Sequence, residues 1–231
     1  MFKKDLNELI ICGLKDFFTS NDYRVKKNSE MIYFRKQLRN GFQHIGISSS
    51  NYYDKHYLNF GYSKRVNEIE NVVLELEKYF EPNFFLTRKD TSSYYLNVTN
   101  DISLPEYIEK AMKKASDVKM VTDWIIEYSK NYAFKKFDYL DSIVSVDNEI
   151  NGERFWLSDE DKPFGLHRFD VYRIVIAKLA KSPTEYKTFT EKLMEIEDKQ
   201  IEQLRQSDEK NKDLKNWFVP KILGHLEEIV K

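Results

Sequence analysis

The chain has 231 residues and a formal net charge of −1, enough length to bury a sizeable core as one large domain or two small, closely packed ones. Its aromatic share of 15%, with 15 Tyr and 16 Phe, excludes a disordered chain. Up to residue 100 there are 15 basic and 12 acidic residues, and beyond it 22 and 26, so the basic domain typical of phosphate-contacting proteins is missing and nucleic acid is disfavoured as a partner.

Leu6, Leu9, Ile10, Gly13, Leu14, Phe17 and Phe18 recur at three and four, the stripe of an amphipathic helix that Thr19-Ser20-Asn21-Asp22 stops. Residues 23–27 read as a short strand. Met31 to Leu38 and Phe42 to Ser49 form a hairpin about Asn40-Gly41, a pair suited to a type I′ turn because both central residues take positive φ. Lys55 to Ser63 is the next strand. Val66, Ile69, Val73, Leu76 and Phe80 give a second helix, closed by Pro82, and Phe84 to Arg88 with Ser93 to Val98 add a further hairpin.

After Asn100 the texture is helical. Ser103-Leu104-Pro105-Glu106 is a capping box with proline in the first turn. Ile108, Met112, Ala115, Val121, Ile125 and Tyr128 extend that helix and allow it a break near Asp117. Ser182-Pro183-Thr184-Glu185 repeats the device and launches a long helix through Leu204; a last helix covers about Leu214 to Val230. Between them Asp147 to Phe169 reads as an irregular stretch. The expected fold is α+β, with an antiparallel sheet of about five or six strands and flanking helices over 1–100. A helical part over 101–231 follows, packed against the sheet in one globular unit.

No run approaches the roughly 18 to 20 apolar residues a membrane span needs, and the start of the chain lacks the apolar core of a signal peptide. The single cysteine, Cys12, excludes an intramolecular disulfide, and a cytoplasmic location is the expectation. Only 7 glycines occur, in neither the dinucleotide-binding nor the Walker pattern, so no cofactor is expected. No histidine pair has metalloprotease spacing and one cysteine cannot build a thiolate zinc site, so no metal ligands and no catalytic residues are assigned. Cys12, within the first helix, reads as a small buried hydrophobe. His44 in mid-strand and His56 at the start of the next could approach across the sheet, with Asp54 orienting His56, which gives the alternative of a small hydrolase-type enzyme.

Two segments have the composition of binding surfaces. Glu153 to Phe169 crowds Arg154, Trp156, Phe164 and Arg168, residue types that dominate binding hot spots, between two helices. Asn51 to Tyr57 places Tyr52, Tyr53 and Tyr57 at a hairpin tip, where tyrosine offers rigid area with a polar end.

Asn21-Asp22-Tyr23-Arg24, then Ile32-Tyr33-Phe34-Arg35-Lys36, then Leu58-Asn59-Phe60-Gly61-Tyr62 resemble the phrasing of a loose group of uncharacterised bacterial small α/β proteins, themselves similar to polymorphic-toxin immunity proteins. Asp22 stands where the group's turn carries glycine. The resemblance covers residues 1–100 and implies a non-enzymatic protein-binding module whose partner is a protein such as a toxin.

Overall fold

The computed structural model describes residues 3–27, 31–52, 55–80, 94–97, 115–152, 167–207 and 218–230. It is an α+β protein, with an antiparallel sheet and a mostly helical C-terminal part. In chain order the elements are α1 (Lys3–Ser20), β1 (Arg24–Lys27), β2 (Met31–Leu38), β3 (Gly41–Tyr52), β4 (Lys55–Val66), α2 (Asn67–Glu77) and β5 (Tyr94–Asn97). There follow α3 (Ala115–Tyr128), a π-helical turn (Ser129–Ala133), α4 (Phe134–Tyr139), α5 (Ile143–Asn151), α6 (His167–Ala180), α7 (Pro183–Ser207) and α8 (Phe218–Ile229). The chain forms two compact units that interleave in sequence: Met1–Val66 with Ser92–Leu140, and Asn67–Thr91 with Asp141–Lys231.

In the first unit α1 buries Leu6, Ile10, Leu14 and Phe18 completely, one residue per turn along one stripe. Cys12 lies two residues, about 200° of helical rotation, from Ile10. It is exposed, which corrects the expectation of a buried thiol. The helix ends in a Schellman motif: Tyr23 N–H donates to the Phe18 carbonyl at 2.9 Å and Asp22 N–H to that of Thr19 at 3.1 Å. The motif needs a left-handed residue at its turn, and Asp22 supplies it at φ 68° in place of glycine. Tyr23 then packs edge-on against Phe18 with ring centres 5.6 Å apart, the apolar contact that accompanies such caps.

The strands follow sequence order in the sheet, every neighbouring pair antiparallel. Alternation sends Ile32 and Phe34 of β2, Ile45 and Ile47 of β3, and Phe60 and Tyr62 of β4 to the core face, all 3% exposed or less. There Phe18 stacks on Phe34 at 4.3 Å, Phe60 meets Tyr128 of α3 edge-on at 5.5 Å, and Tyr62 meets Phe137 of α4 edge-on at 5.5 Å. Aromatic pairs at these geometries add stability beyond the area they bury. Lys64 shares this face but is 4% exposed; its Nζ donates to the Phe137 carbonyl at 3.0 Å, satisfying a helix-end acceptor that α4 cannot satisfy itself.

The β2–β3 turn is not type I′. Asn40 does not have the positive φ that type requires; the only described non-glycine residue with positive φ is Asp22. Gly41 carries the unusual conformation instead, at φ 145°, as the first residue of β3 paired to both Leu38 and Val66. A Cβ there would lie 1.9 Å from the Arg65 carbonyl oxygen.

In the second unit α6 is buried almost all round: Val171, Ile174, Val175, Ile176 and Ala177 are inaccessible. That is why no amphipathic stripe announces it. α2 lays Ile69, Val73 and Leu76 into the same core together with Glu70, which accepts a 2.8 Å hydrogen bond from the Tyr172 hydroxyl. From α5, Asp147 and Asn151 are buried: Asn151 Nδ2 donates to Asp147 Oδ1 at 2.8 Å, Arg173 Nε donates to Asn151 Oδ1 at 3.1 Å, and Lys181 pairs with Asp147.

The Ser182–Glu185 capping box is present at the head of α7, with Ser182 N–H donating to Glu185 Oε2 at 3.0 Å. The stretch read as irregular over Asp147 to Phe169 is helical at both ends, in α5 and α6; residues 153–166 lie outside the described residues. So do the strand expected at Phe84 to Arg88 and the capping box at Ser103. Asp117 lies in the first turn of α3, and residues 101–114, on the far side of the expected break, lie outside the described residues.

Two consequences can be measured. Gly41→Ala is expected to cost about 2 kcal/mol or more, from positive φ and the clash together, whereas Gly224→Ala on α8, with nothing within 4 Å of the new methyl, gains about 1 kcal/mol. Denaturant unfolding of the two variants gives opposite signs.

The second concerns Tyr23, whose hydroxyl donates to Gln43 Oε1 at 2.7 Å. Burial, and then the charge of Asp138, push its phenol far above the ordinary tyrosine value of 10.0. The native state therefore keeps a proton that the unfolded chain releases, so this contribution is intact below that value and declines as pH rises through it. Tyr23→Phe is expected to be less stable at neutral pH and to lose less stability between about pH 8 and about pH 11. Equal slopes for both proteins would refute the assignment.

Candidate functional site

The second face of the sheet follows from the same alternation. The register sets four rows across β2, β3 and β4: Met31–Ser48–Asn59, Tyr33–Gly46–Gly61, Arg35–His44–Ser63 and Gln37–Phe42–Arg65. Beside them on β1 stand Lys26, opposite Tyr33, and Arg24, opposite Arg35. None of these positions carries a carboxylate, and four carry a Lys or Arg: Arg24, Lys26, Arg35 and Arg65.

Because Gly46 and Gly61 are direct cross-strand neighbours, the middle of this face has a floor of backbone. The result is a dip of about 80 Å³ rimmed by Met31, Tyr33, His44, Ser48, Asn59 and Ser63. His44 is 9% exposed, its ring stacked on Tyr33 at 5.4 Å and tilted against Phe42 at 4.4 Å. Its Nε2 accepts a hydrogen bond from Arg35 Nε, and the Arg35 guanidinium carbon sits 4.0 Å above the Phe42 ring centre. Tyr33, Arg35, Phe42 and His44 thus hold one another in an aromatic and cationic cluster, in which Phe42 is buried and Tyr33 and Arg35 are part-exposed.

This arrangement leaves His44 poorly placed as a general base. A general base needs a lone pair facing its substrate, and Nε2 of His44 is committed to Arg35. The expected meeting of His44 with His56 does not occur. His44 pairs with Ser63, whereas His56 pairs with Asn51, seven residues or roughly 23 Å further along β4. Asp54 lies outside the described residues. Among the described residues no group of three or more His, Cys, Asp and Glu could hold a metal ion, and no helix is long and apolar enough to cross a membrane.

Of the residues singled out for binding, Tyr52 and Tyr57 lie on the β3–β4 hairpin beyond the described register of β2 and β5, where Tyr52 opposes Lys55 and Tyr57 opposes Ser50. Arg168 is in the first turn of α6. Tyr53, Arg154, Trp156 and Phe164 lie outside the described residues. Sequence reasoning missed the platform of Met31, Tyr33, Arg35 and Phe42. The signal for it was the pairing of Gly46 with Gly61, which becomes visible once the two strands are aligned from their turn. The chain matches no protein-family model, no curated protein and no solved structure.

The dip itself is testable. A Cβ on Gly46 would meet the mobile end of Met31 at 3.4 Å and nothing closer, so Gly46→Ala is expected to fold normally, with stability unchanged or raised by less than about 1 kcal/mol. A thermal unfolding midpoint well below wild type would mean that the glycine floor serves folding instead of leaving space.

Proposed function

We propose that the chain is a non-enzymatic, cytoplasmic protein-binding module, immunity-like in kind, whose sheet face takes an acidic segment of a protein partner such as a toxin. The observation that carries this reading is the platform of Tyr33, Arg35, Phe42 and His44 beside the glycine-floored dip. Tyr and Arg are the residues that anchor interfaces, and Met31 on the rim is a third enriched type. Size separates the readings: small-molecule sites span about 300–1,000 Å³, and a dip of about 80 Å³ accepts one short side chain of a partner. The exposed Arg24 and Lys26 bias that partner towards negative charge. They also guard the β1 edge against strand addition. From their residue types, Tyr52, Tyr53, Tyr57, Arg154, Trp156, Phe164 and Arg168 are further contributors to binding in this proposal.

For the alternative of a hydrolase-type enzyme, the register sets His44 apart from His56, so the two would serve separate sites. A basic and aromatic sheet face also suits single-stranded nucleic acid, which binds with a steep salt dependence. The test is affinity capture followed by direct titration of the captured protein, comparing wild type with Tyr33→Ala and Gly46→Val. One stoichiometric protein is expected, held about 30-fold or more weaker by Tyr33→Ala, the loss of a hot-spot residue, and excluded by Gly46→Val. Full-strength binding by both variants sinks the reading. Capture of nucleic acid, or a hydrolase activity lost in His44→Ala, transfers it to the corresponding alternative.

A further inference from the structure

In the second unit three lysines converge on one cavity. Lys178 stands in the last turn of α6, Lys181 follows that helix, and Lys187 is in the first turns of α7; Tyr186 lies between them, and Leu223 and Glu227 of α8 form the opposite wall. The cavity measures about 330 Å³, within the range of small-ligand sites and about four times the dip on the sheet face.

The ammonium groups are held differently. Lys181 is tied to Asp147, whose side chain is 3% exposed, which fixes its position at the cavity edge. Lys187 reaches Glu191 at 3.8 Å, but both side chains are more than 60% exposed, and an exposed pair at that distance is weak. Lys178 has no carboxylate within 4.0 Å among the described residues; its Nζ lies 5.0 Å from the Tyr186 ring centre. Burial, and then the negative charge of Glu227, push the Tyr186 phenol far above the usual tyrosine range, so its hydroxyl stays an O–H donor at physiological pH. The head of α7 does not compete for an anion, since Ser182 and Glu185 satisfy each other and Pro183 has no N–H to offer.

We propose that this cavity binds a small organic phosphate, with the phosphoryl group between Lys178 and Lys187 beside the anchored Lys181, and the organic part against the Tyr186 ring and Leu223. Compact ammonium charges without a guanidinium fork suit a phosphate dianion better than a planar carboxylate. Glu227, the one acid of the wall among the described residues, accepts a hydrogen bond from a hydroxyl or amine of the organic part. The site is independent of the sheet-face reading and uses none of its residues.

The test titrates the full chain calorimetrically with phenyl phosphate, inorganic phosphate and benzoate at constant ionic strength. Saturable one-to-one binding of phenyl phosphate is expected, tighter than inorganic phosphate and much tighter than benzoate. Lys178→Gln should weaken it about tenfold, a lost charge-assisted contact, and Leu223→Trp should abolish it by filling the cavity. Both changes are at partly exposed positions, so circular dichroism should show folded variants. No saturable phosphate binding to wild type, or equal affinity in wild type and both variants, overturns the proposal. Benzoate binding as tightly as phenyl phosphate overturns the phosphate assignment.

Discussion

The unbroken antiparallel register through β2, β3 and β4 is the constraint from which the rest of the first unit follows. Twelve successive pairs join β3 to β4 and eight join β2 to β3, without a bulge to reset the alternation. Parity alone therefore decides what each residue does. Even positions of β2 and β4 face the aromatic core, Phe34 meeting α1 and Phe60 and Tyr62 meeting α3 and α4, while odd positions of β2 build the platform. Slipping one strand by a single residue would expose Phe34 and bury Arg35. The register is protected at the β2–β3 turn by Gly41, whose conformation and lack of a side chain let three strands meet at the Arg65 carbonyl. It is protected in the core by Tyr23, which reaches from the end of α1 to Gln43 in the middle strand.

The second unit is held by a different kind of interaction. Its central helix, α6, is apolar on nearly every side, yet Arg173 and Tyr172 sit among those apolar residues. Burying such groups costs several kcal/mol apiece unless hydrogen bonds replace water. Glu70 and Asn151 supply some of them: one takes the tyrosine hydroxyl, the other the Arg173 Nε–H while its amide reaches the Arg173 carbonyl at 3.1 Å. Asp147 then neutralises Lys181 and orients Asn151. A buried ionic network contributes little to net stability against a hydrophobic alternative, but removing one member strands the others. Its effect here is geometric. It fixes where α5 and α6 stand and, through Lys181, places one cationic corner of the lysine-lined cavity.

Amphipathic periodicity made α1 and α2 legible, β-former alternation made β2 to β4 legible, and the Ser182–Glu185 pattern marked the head of α7, because each is a local signal. The unread features depend on partners distant in sequence. Helix α6 carries no stripe, since α2, α5, α7 and α8 all pack on it and α2 comes from far away in the sequence. Cys12 seemed apolar by neighbourhood, but helical angle, not adjacency, decides exposure. The Asn40-Gly41 dipeptide invited a type I′ turn; the close approach of the Arg65 carbonyl assigns the glycine a different duty. The dip required seeing that Gly46 and Gly61 are opposite each other, which neither strand reveals alone. The interleaving of the two units likewise leaves no mark in local composition.

Charge form separates the two candidate sites more firmly than charge count. On the sheet, the Arg35 guanidinium carbon lies 4.0 Å from the Phe42 ring centre and its Nε is bonded to His44, so its cation is held close to the sheet face. In the proposed reading such a face gains by excluding water over an area, as a protein side chain seated in the dip would do. In the helical unit the cations are ammonium groups around a volume, one of them anchored by Asp147, with the ring of Tyr186 as one wall. That geometry gains little from a large flat partner. It favours a compact multivalent anion that several lysines can reach at once, since each additional charge contact adds without a new interface having to be ordered.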